Sequence, residues 1–298
     1  MRWLHVKFDM CWIPIAVAMS NGCEAQKPAA AEPNASTPPA HSSKFEGATA
    51  GSVFGHVRWV GDKPVVPALE GCSNPVIENG PRDTIIAPNP NRPLIDNATG
   101  GVGNAVVFLR NIDPAQAKSL THGPVRVVQS NHRFKTLQDG REVSFGFVRR
   151  GDAIEMDSDD PCFHAIQADG STFFALTFPD PHQPLSRTLD HKGIVELTSA
   201  AGYYWMRAYL FVDDHPYYAR TDLAGSFLLD EVPAGEYEVV CWMPNWVEAR
   251  HERDPESSLV TRLFFRKPIE VRRRIVIQPR AREQIDFEVS RTMFMAPP

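Results

Sequence analysis

The sequence of 298 residues lacks several patterns that would place it in a common class of protein. It has no apolar run of the roughly 20 residues that a membrane-spanning helix needs, no amphipathic helix of useful length and no repeat at a fixed period. It contains neither an H-x-x-E pair nor a nucleophile elbow, so we expect no enzyme. The formal charge of −5 gives no reason to expect nucleic acid as a partner.

Cysteine is also scarce. Five cysteines occur, and two of them, Cys11 and Cys23, lie in or beside the N-terminal segment discussed next. The other three, Cys72, Cys162 and Cys241, show neither a disulfide framework nor a zinc spacing. Because an odd number of cysteines cannot all pair, at least one thiol is expected to be free or bound to a ligand. Cys72 and Cys241 remain a candidate pair, since spacing along the chain does not give their distance.

The N-terminus has the features of an export signal. Positive charge at Arg2 and Lys7 precedes an apolar run over residues 10–19, which is close in length to a signal-peptide h-region. Small residues then lead to Cys23, which resembles the acylated cysteine of a bacterial lipobox. The alternative is an ordinary cleaved signal with an incidental cysteine. We predict a signal over residues 1–23, lipidation at Cys23 and a location in the periplasm or cell envelope.

The next segment, residues 24–45, is rich in Ala, Pro, Ser and Thr. It has too little apolar surface to offset the entropy lost on ordering. We therefore predict a disordered tether. Contact with a membrane is expected only through the lipid anchor.

Strand signals dominate from residue 51 onward. Short runs of β-branched and aromatic residues are separated by Gly, Pro, Asp and Asn clusters, which favours an all-β sandwich or barrel. The apolar run 105–109 suits a buried strand, and residues 72–96 are expected to form an irregular loop. Other strands are predicted at 53–60, 125–128, 143–148, 153–156, 163–167, 173–178, 193–198, 206–212, 226–229, 237–242, 263–265, 274–277 and 285–289.

Residues 221–237 carry two turn signals. Asp222 and Gly225 suit one tight turn, and Pro233 and Gly235 suit a second, which predicts a β-hairpin with a fixed register. The residues predicted to face the core are Phe227, Leu229, Tyr237 and Val239. The pattern resembles the T-D-x-x-G-x-F and V-P-x-G-x-Y signature of carboxypeptidase regulatory-like domains. That resemblance implies a small transthyretin-type sandwich that serves as a structural or binding module without peptidase chemistry.

A second stretch, from about residue 140 to residue 216, resembles exported bacterial cupredoxins similar to plastocyanin and the methylamine-utilisation copper proteins. The matching segments are 157–164, 174–179, 192–197, 200–206, 207–209 and 214–217. The resemblance implies a Greek-key cupredoxin-like sandwich over residues 46–205. A carboxypeptidase regulatory-like sandwich would follow over residues 206–292, with a tail at 293–298.

The copper site implied by this resemblance is incomplete. A blue-copper centre uses two imidazoles and one thiolate near a plane, with a weak axial thioether. By resemblance, His164 stands at the first imidazole and Met206 at the thioether. Ala200 stands where the thiolate belongs, and Tyr203 where the second imidazole belongs. The chain therefore resembles a cupredoxin scaffold with a degenerate copper site.

Cys162 offers another way to complete a metal site. It precedes His164 by two residues, so on one strand the two side chains share a face. A relocated site of Cys162 and His164, completed by Met206 or another residue, is one interpretation. The other is that Cys162 packs as a small hydrophobe and that His164 is a half-buried residue bonded to a carbonyl.

Three further groups remain ambiguous. The carboxylates of Asp157, Asp159 and Asp160 suit a hard cation, and they also suit a turn. Aromatic residues between 203 and 246 either contact a carbohydrate or protein or pack in the core. The basic run 272–274 is typical of an exposed strand edge.

The leading hypothesis is a non-enzymatic, exported β-sandwich protein of the cell envelope. It binds an envelope protein or a carbohydrate, or has a structural role, and it needs no cofactor. The alternative is a copper-binding or electron-transfer protein with a non-standard site around His164 and Met206.

Overall fold

The computed structural model describes residues 44–75 and 83–295. The predicted signal, the lipidation site at Cys23 and nearly all of the tether lie outside these residues. The predicted all-β class is confirmed, because strands make up almost all regular structure. A 3-10 turn spans Gly47–Thr49, and one short helix, α1, spans Arg291–Met295. Within the described part, none of the helical segments has the length and apolar character needed to cross a membrane.

The strands follow one another with short connections. In chain order they are β1 (Gly51–Trp59), β2 (Leu69–Cys72), β3 (Thr84–Ala87), β4 (Leu94–Ile95), β5 (Val102–Gly103), β6 (Val106–Arg110), β7 (Val125–Gln129), β8 (Phe134–Gln138), β9 (Arg141–Val143), β10 (Phe145–Arg149), β11 (Ala153–Ser158), β12 (His164–Gly170), β13 (Phe174–Phe178), β14 (Leu185–Thr188), β15 (Gly193–Ser199), β16 (Arg207–Asp213), β17 (Tyr218–Arg220), β18 (Ser226–Val232), β19 (Gly235–Met243), β20 (Glu248–Arg253), β21 (Val260–Phe265), β22 (Ile269–Ile277), β23 (Arg282–Gln284) and β24 (Phe287–Val289). Each predicted strand overlaps one of these. The segment expected to be an irregular loop contains β3 and β4.

Two sheets built from both ends of the described chain form what we call the outer sandwich. One sheet has the order β18-β1-β23, with β24 also paired to β1. The other has the order β17-β6-β19-β22. Their facing side chains share one core, which includes Val53, Val57, Leu109, Phe227, Val239 and Phe287.

The strands from β7 to β16 form a second, inner sandwich. Its sheets have the orders β14-β11-β7-β8-β9 and β10-β16-β15-β12-β13. Its core includes Val127, Ile154, Met156, Ile166, Leu197 and Leu210. The chain leaves the outer sandwich after β6 and re-enters it at β17, so the inner sandwich is an insertion.

An aromatic layer joins the two sandwiches. Residues of β6 and β19 meet residues of β10 and β16 in one buried cluster that includes Phe108, Phe145, Phe211 and Trp242. The sheets that carry these strands are therefore covered on both faces. Strands buried on both faces are continuously apolar rather than alternating, which explains the run predicted at 105–109.

The strand pairing divides the chain differently from the predicted ranges 46–205 and 206–292. β1 lies in the first range and pairs with β18, β23 and β24 of the second. β16 lies in the second range and pairs with β10 and β15 of the first. The physical reason is that residues 221–243 supply only one strand to each outer sheet, and the remaining strands come from both ends of the chain.

The predicted hairpin over residues 221–237 is wrong in its pairing and correct in its burial. β18 pairs with β1, whereas β19 pairs with β6 and β22, so the turn after β18 passes from one sheet to the other. The four residues predicted to face the core are all buried in it: Phe227, Leu229, Tyr237 and Val239. A connection that crosses between two facing sheets places alternate residues in their shared core, and a hairpin within one sheet does the same.

The turn that follows β17 is held by side chains. The Thr221 hydroxyl donates to the carbonyl oxygen of Val102 at 2.6 Å and accepts from the Ala105 amide at 2.9 Å. The Asp222 carboxylate accepts from the Ser226 amide at 2.8 Å, which closes the turn across four residues. The Thr-Asp pair of the sequence signature therefore fixes β18 against the β5–β6 connection.

Candidate metal centre

Three donor atoms of different kinds meet where β11 leads into β12. Nε2 of His164 lies 3.0 Å from Oδ2 of Asp160 and 3.5 Å from Sγ of Cys162. Atoms of all three side chains lie within 4.8 Å of one another. His164 and Asp160 are buried, whereas Cys162 is partly exposed. An imidazole nitrogen, a thiol sulfur and a carboxylate oxygen therefore converge at one end of the inner sandwich.

The hairpin turn between β7 and β8 orients the Asp160 carboxylate. Asn131 and His132 form its two central residues, with φ of 53° and 56°, as a primed two-residue turn requires. The Asn131 amide donates to Oδ1 of Asp160 at 2.6 Å, and the His132 amide donates to Oδ2 at 3.0 Å. Burial alone would raise the pKa of Asp160, but these amides and the His164 imidazole hold it below its ordinary value. Asp160 is thus an oriented anion.

The His164 imidazole is neutral at neutral pH. Burial lowers its pKa below the ordinary value, although Asp160 acts in the opposite direction. Nε2 makes both contacts with the cluster, and Nδ1 is buried without a hydrogen-bond partner. The side chains of Gln129 and Ser158, which are register neighbours, also bury polar atoms without partners. Unpartnered buried polar atoms are rare in proteins, so their concentration here requires an explanation.

Aromatic rings cover the donor cluster. The Tyr203 ring lies 4.9 Å from the His164 ring and 4.8 Å from the His132 ring, measured between centroids. Its hydroxyl has two acceptors in reach, the Ser73 carbonyl at 3.2 Å and Sγ of Cys162 at 3.4 Å. Burial, followed by the contact with Cys162, raises the pKa of Tyr203, so the phenol stays protonated. Tyr203 therefore acts at this site as a neutral hydrogen-bond donor.

The structure brings two of the predicted ligands into contact. Cys162 and His164 meet as their spacing suggested, although Cys162 lies in the turn before β12 rather than on the strand. Met206 is buried in a hydrophobic cluster with Tyr203 and its neighbours. The sequence indicates Asp160 only as part of an acidic group. The signal that would have identified it is alternation, since Asp160, Cys162 and His164 occupy every second position.

The other two acidic residues have different surroundings. Asp157 is buried and accepts from Arg126 at 2.7 Å. With Asp159 and His182 it forms a second group of donors within 4.8 Å of one another. Asp159 and His182 are exposed, so this group has the character of a solvated turn.

The residues present do not fit a blue-copper centre. That centre needs two imidazoles and a thiolate around the metal, whereas the donor group in the described part of the chain has one imidazole, one thiol and one carboxylate. Ala200 is exposed and offers no ligand, and the Tyr203 ring packs against His164. We derive no electron-transfer chemistry from this site.

Comparisons with known proteins find a likeness only among solved structures. No protein-family model matches the sequence, and no curated protein does either. Among solved structures, the chain is similar to a purple cupredoxin from Nitrosopumilus maritimus, at 12% identity over 29% of this chain and 97% of that one, with a TM-score of 0.23. It is also similar to a reduced amicyanin variant, at 16% identity over 36% of this chain and 97% of that one, with a TM-score of 0.25. At such identities the likeness concerns the fold alone.

The remaining predicted features are structural in character. Cys72, Cys162 and Cys241 are all free thiols, so the candidate pair of Cys72 and Cys241 does not form, and burial raises the pKa of Cys241 to about 12. The aromatic residues between 203 and 246 that are buried in the cores are Tyr203, Tyr204, Trp205, Tyr209, Phe211, Tyr217, Phe227, Tyr237, Trp242 and Trp246. The basic run 272–274 lies on β22, an edge strand of its sheet, and is exposed.

His215 lies in the segment that connects the two sandwiches, away from the donor cluster. It makes the stability of the fold depend on pH. Its Nδ1 accepts from the Tyr217 amide at 3.3 Å, and its Nε2 lies 3.3 Å from Asp213. Burial lowers the pKa of His215 below 6.5, although Asp213 and Asp214 act in the opposite direction. Lys192, which pairs with both aspartates, lowers this pKa further.

We expect acidification from pH 7.5 to pH 5.5 to lower the free energy of unfolding. In that window the unfolded chain binds a proton at His215 that the folded chain excludes, so stability is lost as pH falls through 6.5. One such histidine contributes a slope of at most about 1.4 kcal/mol per pH unit. Urea unfolding of the His215→Gln variant should show a shallower pH dependence, and the exposed His191→Gln variant should not. Equal slopes in all three proteins would contradict the assignment.

Proposed function

We propose that this chain is an exported, non-enzymatic β-sandwich protein that binds one transition-metal ion through Asp160, Cys162 and His164. The observation that supports the proposal is the convergence of three chemically different donors within 4.8 Å. Thiolate and imidazole are ligands of zinc and copper, whereas magnesium and calcium take oxygen ligands. Export rests on the signal predicted over residues 1–23, and attachment to a membrane rests on Cys23.

The protonation states of the cluster favour a cation. A metal binds carboxylate and imidazole through donor atoms that carry no proton, or that lose their proton at low cost. Asp160 is ionised, because its pKa is lowered by two backbone amides and His164 despite burial. His164 is neutral, because burial lowers its pKa. Only Cys162 must lose a proton to solvent, and it is the partly exposed member.

The same geometry argues against cysteine-based catalysis. In a nucleophilic triad, one imidazole nitrogen takes the proton of the nucleophile and the other is held by the carboxylate. Here Cys162 and Asp160 both face Nε2 of His164. Asp160 therefore does not hold the second ring nitrogen, Nδ1. His164 lacks the orientation that a base toward Cys162 needs.

Metal analysis of the full chain tests the proposal. The protein is purified under reducing conditions, stripped of metal, incubated separately with zinc and copper, and passed through a desalting column. We expect elemental mass spectrometry to find one equivalent of metal per chain. The Cys162→Ser and His164→Gln variants should each lose that equivalent, because each removes one of the donors.

Cys72→Ser is the matched control, since Cys72 is another partly exposed free thiol and lies outside the donor group. It should retain the full equivalent. Circular dichroism establishes that each variant keeps the β spectrum of the parent. A folded parent that retains no metal, or a Cys72→Ser variant that loses as much as Cys162→Ser, would refute the proposal and favour a metal-free binding module.

A further inference from the structure

The charges at the donor cluster select a divalent ion. Asp160 is an anion, Cys162 becomes one when it ligates a metal, and His164 remains neutral. A divalent ion with these two anions is electrically neutral overall, whereas a monovalent ion leaves one net negative charge. Uncompensated charge is costly where Asp160 and His164 are buried. Copper(I) is therefore disfavoured on charge, and its preference for soft donors does not include a carboxylate.

The distances between donor atoms fit tetrahedral coordination. Zinc lies about 2.0 Å from imidazole nitrogen, about 2.3 Å from thiolate sulfur and about 2.0 Å from carboxylate oxygen. Tetrahedral angles then place nitrogen and sulfur about 3.5 Å apart, and nitrogen and oxygen about 3.3 Å apart. In the structure the corresponding distances are 3.5 Å for Nε2 to Sγ and 3.0 Å for Nε2 to Oδ2. Little movement is needed at these two pairs to accommodate zinc, and the third pair, sulfur and carboxylate oxygen, lies within 4.8 Å.

The protein supplies three ligands to this group and no fourth His, Cys, Asp or Glu in the described residues. Tyr203 has its hydroxyl 3.4 Å from Sγ of Cys162, at hydrogen-bond distance as a donor to the sulfur. A hydrogen bond to a thiolate is stronger than one to a thiol. Structural zinc sites have four protein ligands, whereas sites with three keep a position for water or an exchangeable ligand.

We propose that the cluster binds Zn²⁺ through Oδ2 of Asp160, Sγ of Cys162 and Nε2 of His164, with a fourth position open to water or to a donor from another molecule. This inference rests on the proposed function and adds the identity of the ion and its exchangeability. Binding releases the thiol proton to solvent. The imidazole proton moves from Nε2 to Nδ1, which frees the Nε2 lone pair.

The surroundings agree with an exchangeable ion. Cys162 is the partly exposed member of the cluster, and Pro161 and Phe163 on either side of it are exposed. After the proton shift, Nδ1 of His164 becomes a buried donor. Nδ1 has no hydrogen-bond partner in the structure, so the proton shift requires an acceptor there, such as water. An open ligand position is typical of a site that exchanges ligands rather than of a site that holds a fold together.

Cobalt(II) tests both parts of the inference, because it replaces zinc and reports coordination through its spectrum. The metal-free full chain is titrated with Co²⁺, and we expect intense tetrahedral d–d bands together with a thiolate-to-cobalt charge-transfer band. One equivalent of Zn²⁺ should remove both. Azide added to the cobalt protein should shift the d–d bands and saturate, because it enters the open position.

Variants make the assignment specific. Cys162→Ser should lose the charge-transfer band, and Cys72→Ser should keep it. Tyr203→Phe should still bind zinc, with an affinity lower by about tenfold, as loss of an outer-shell hydrogen bond predicts. Unchanged affinity in Tyr203→Phe would remove Tyr203 from the site.

The outcomes separate this inference from the proposed function. A chain that retains copper and not zinc overturns the zinc assignment and leaves metal binding intact. A cobalt spectrum that is insensitive to azide, or one of six-coordinate intensity, overturns the open tetrahedral position. Absence of any retained metal refutes both proposals.

Discussion

Replacing Trp242 by alanine is expected to lower the free energy of unfolding by about 3–5 kcal/mol. Trp242 is 1% exposed and lies in the aromatic layer between the two sandwiches. Its ring meets those of Phe145, Tyr209 and Phe211 edge-on, at centroid distances of 5.6, 5.3 and 5.1 Å. Edge-to-face pairs stabilise by about 0.5–1.5 kcal/mol beyond the area that they bury. The alanine variant leaves a cavity that two covered sheets cannot close.

Guanidinium unfolding followed by circular dichroism measures this loss. The control is Phe173→Ala, which removes a large aromatic side chain that is 72% exposed. We expect it to change the free energy of unfolding by less than about 0.5 kcal/mol. If Trp242→Ala cost no more than this control, the aromatic layer would not be a packed interface.

Replacing Gly225 by alanine is expected to cost about 3 kcal/mol, by a different mechanism. Gly225 has a φ of +81°, and a Cβ there would lie 2.1 Å from the carbonyl oxygen of Val57. A left-handed conformation costs an alanine about 1–2 kcal/mol, and overpacking costs about 1–3 kcal/mol more. The carbonyl of Gly225 accepts from the Val57 amide at 2.8 Å, so relief of the clash breaks the contact between this turn and β1.

Gly61→Ala isolates the conformational part of that cost. Gly61 has a φ of +83°, and nothing lies within 4 Å of a Cβ placed on it. Thermal unfolding should show a small decrease for Gly61→Ala and a much larger one for Gly225→Ala. Equal decreases in melting temperature would show that the close approach of β1 adds no cost. Gly225 would then be required for its backbone conformation alone.

Local patterns in the sequence predict strands and buried faces well, and pairing partners poorly. Alternation predicts Phe227 and Tyr237 in the core, because the direction of a side chain depends only on the strand that carries it. The pairing of β18 with β1, rather than with β19, depends on residues far away in the chain. The continuous apolar run of β6 correctly predicts burial, but it does not say which two layers cover the strand.

At the candidate site, too, contacts within one short segment are predictable and contacts between distant segments are not. The pairing of Cys162 with His164 is predictable, since both belong to one short segment. The resemblance to cupredoxins directs attention to Met206, which packs in a hydrophobic cluster, and away from Asp160, whose position in a turn has an ordinary explanation. The amides that orient Asp160 belong to Asn131 and His132, in a hairpin that only the fold brings near. Backbone donors carry no sequence signal.

The insertion of the inner sandwich has a consequence for how the chain is made. As the ribosome reaches the end of β16, every strand of the inner sandwich has been synthesised. At the same moment β1 and β6 exist without β18, β19 or any other partner from the later half of the outer sandwich. Their apolar faces and unpaired backbone edges stay exposed until the last strands appear, and exposed unpaired strands promote aggregation. Yield in the cell is therefore expected to depend on chaperones that shield these early strands.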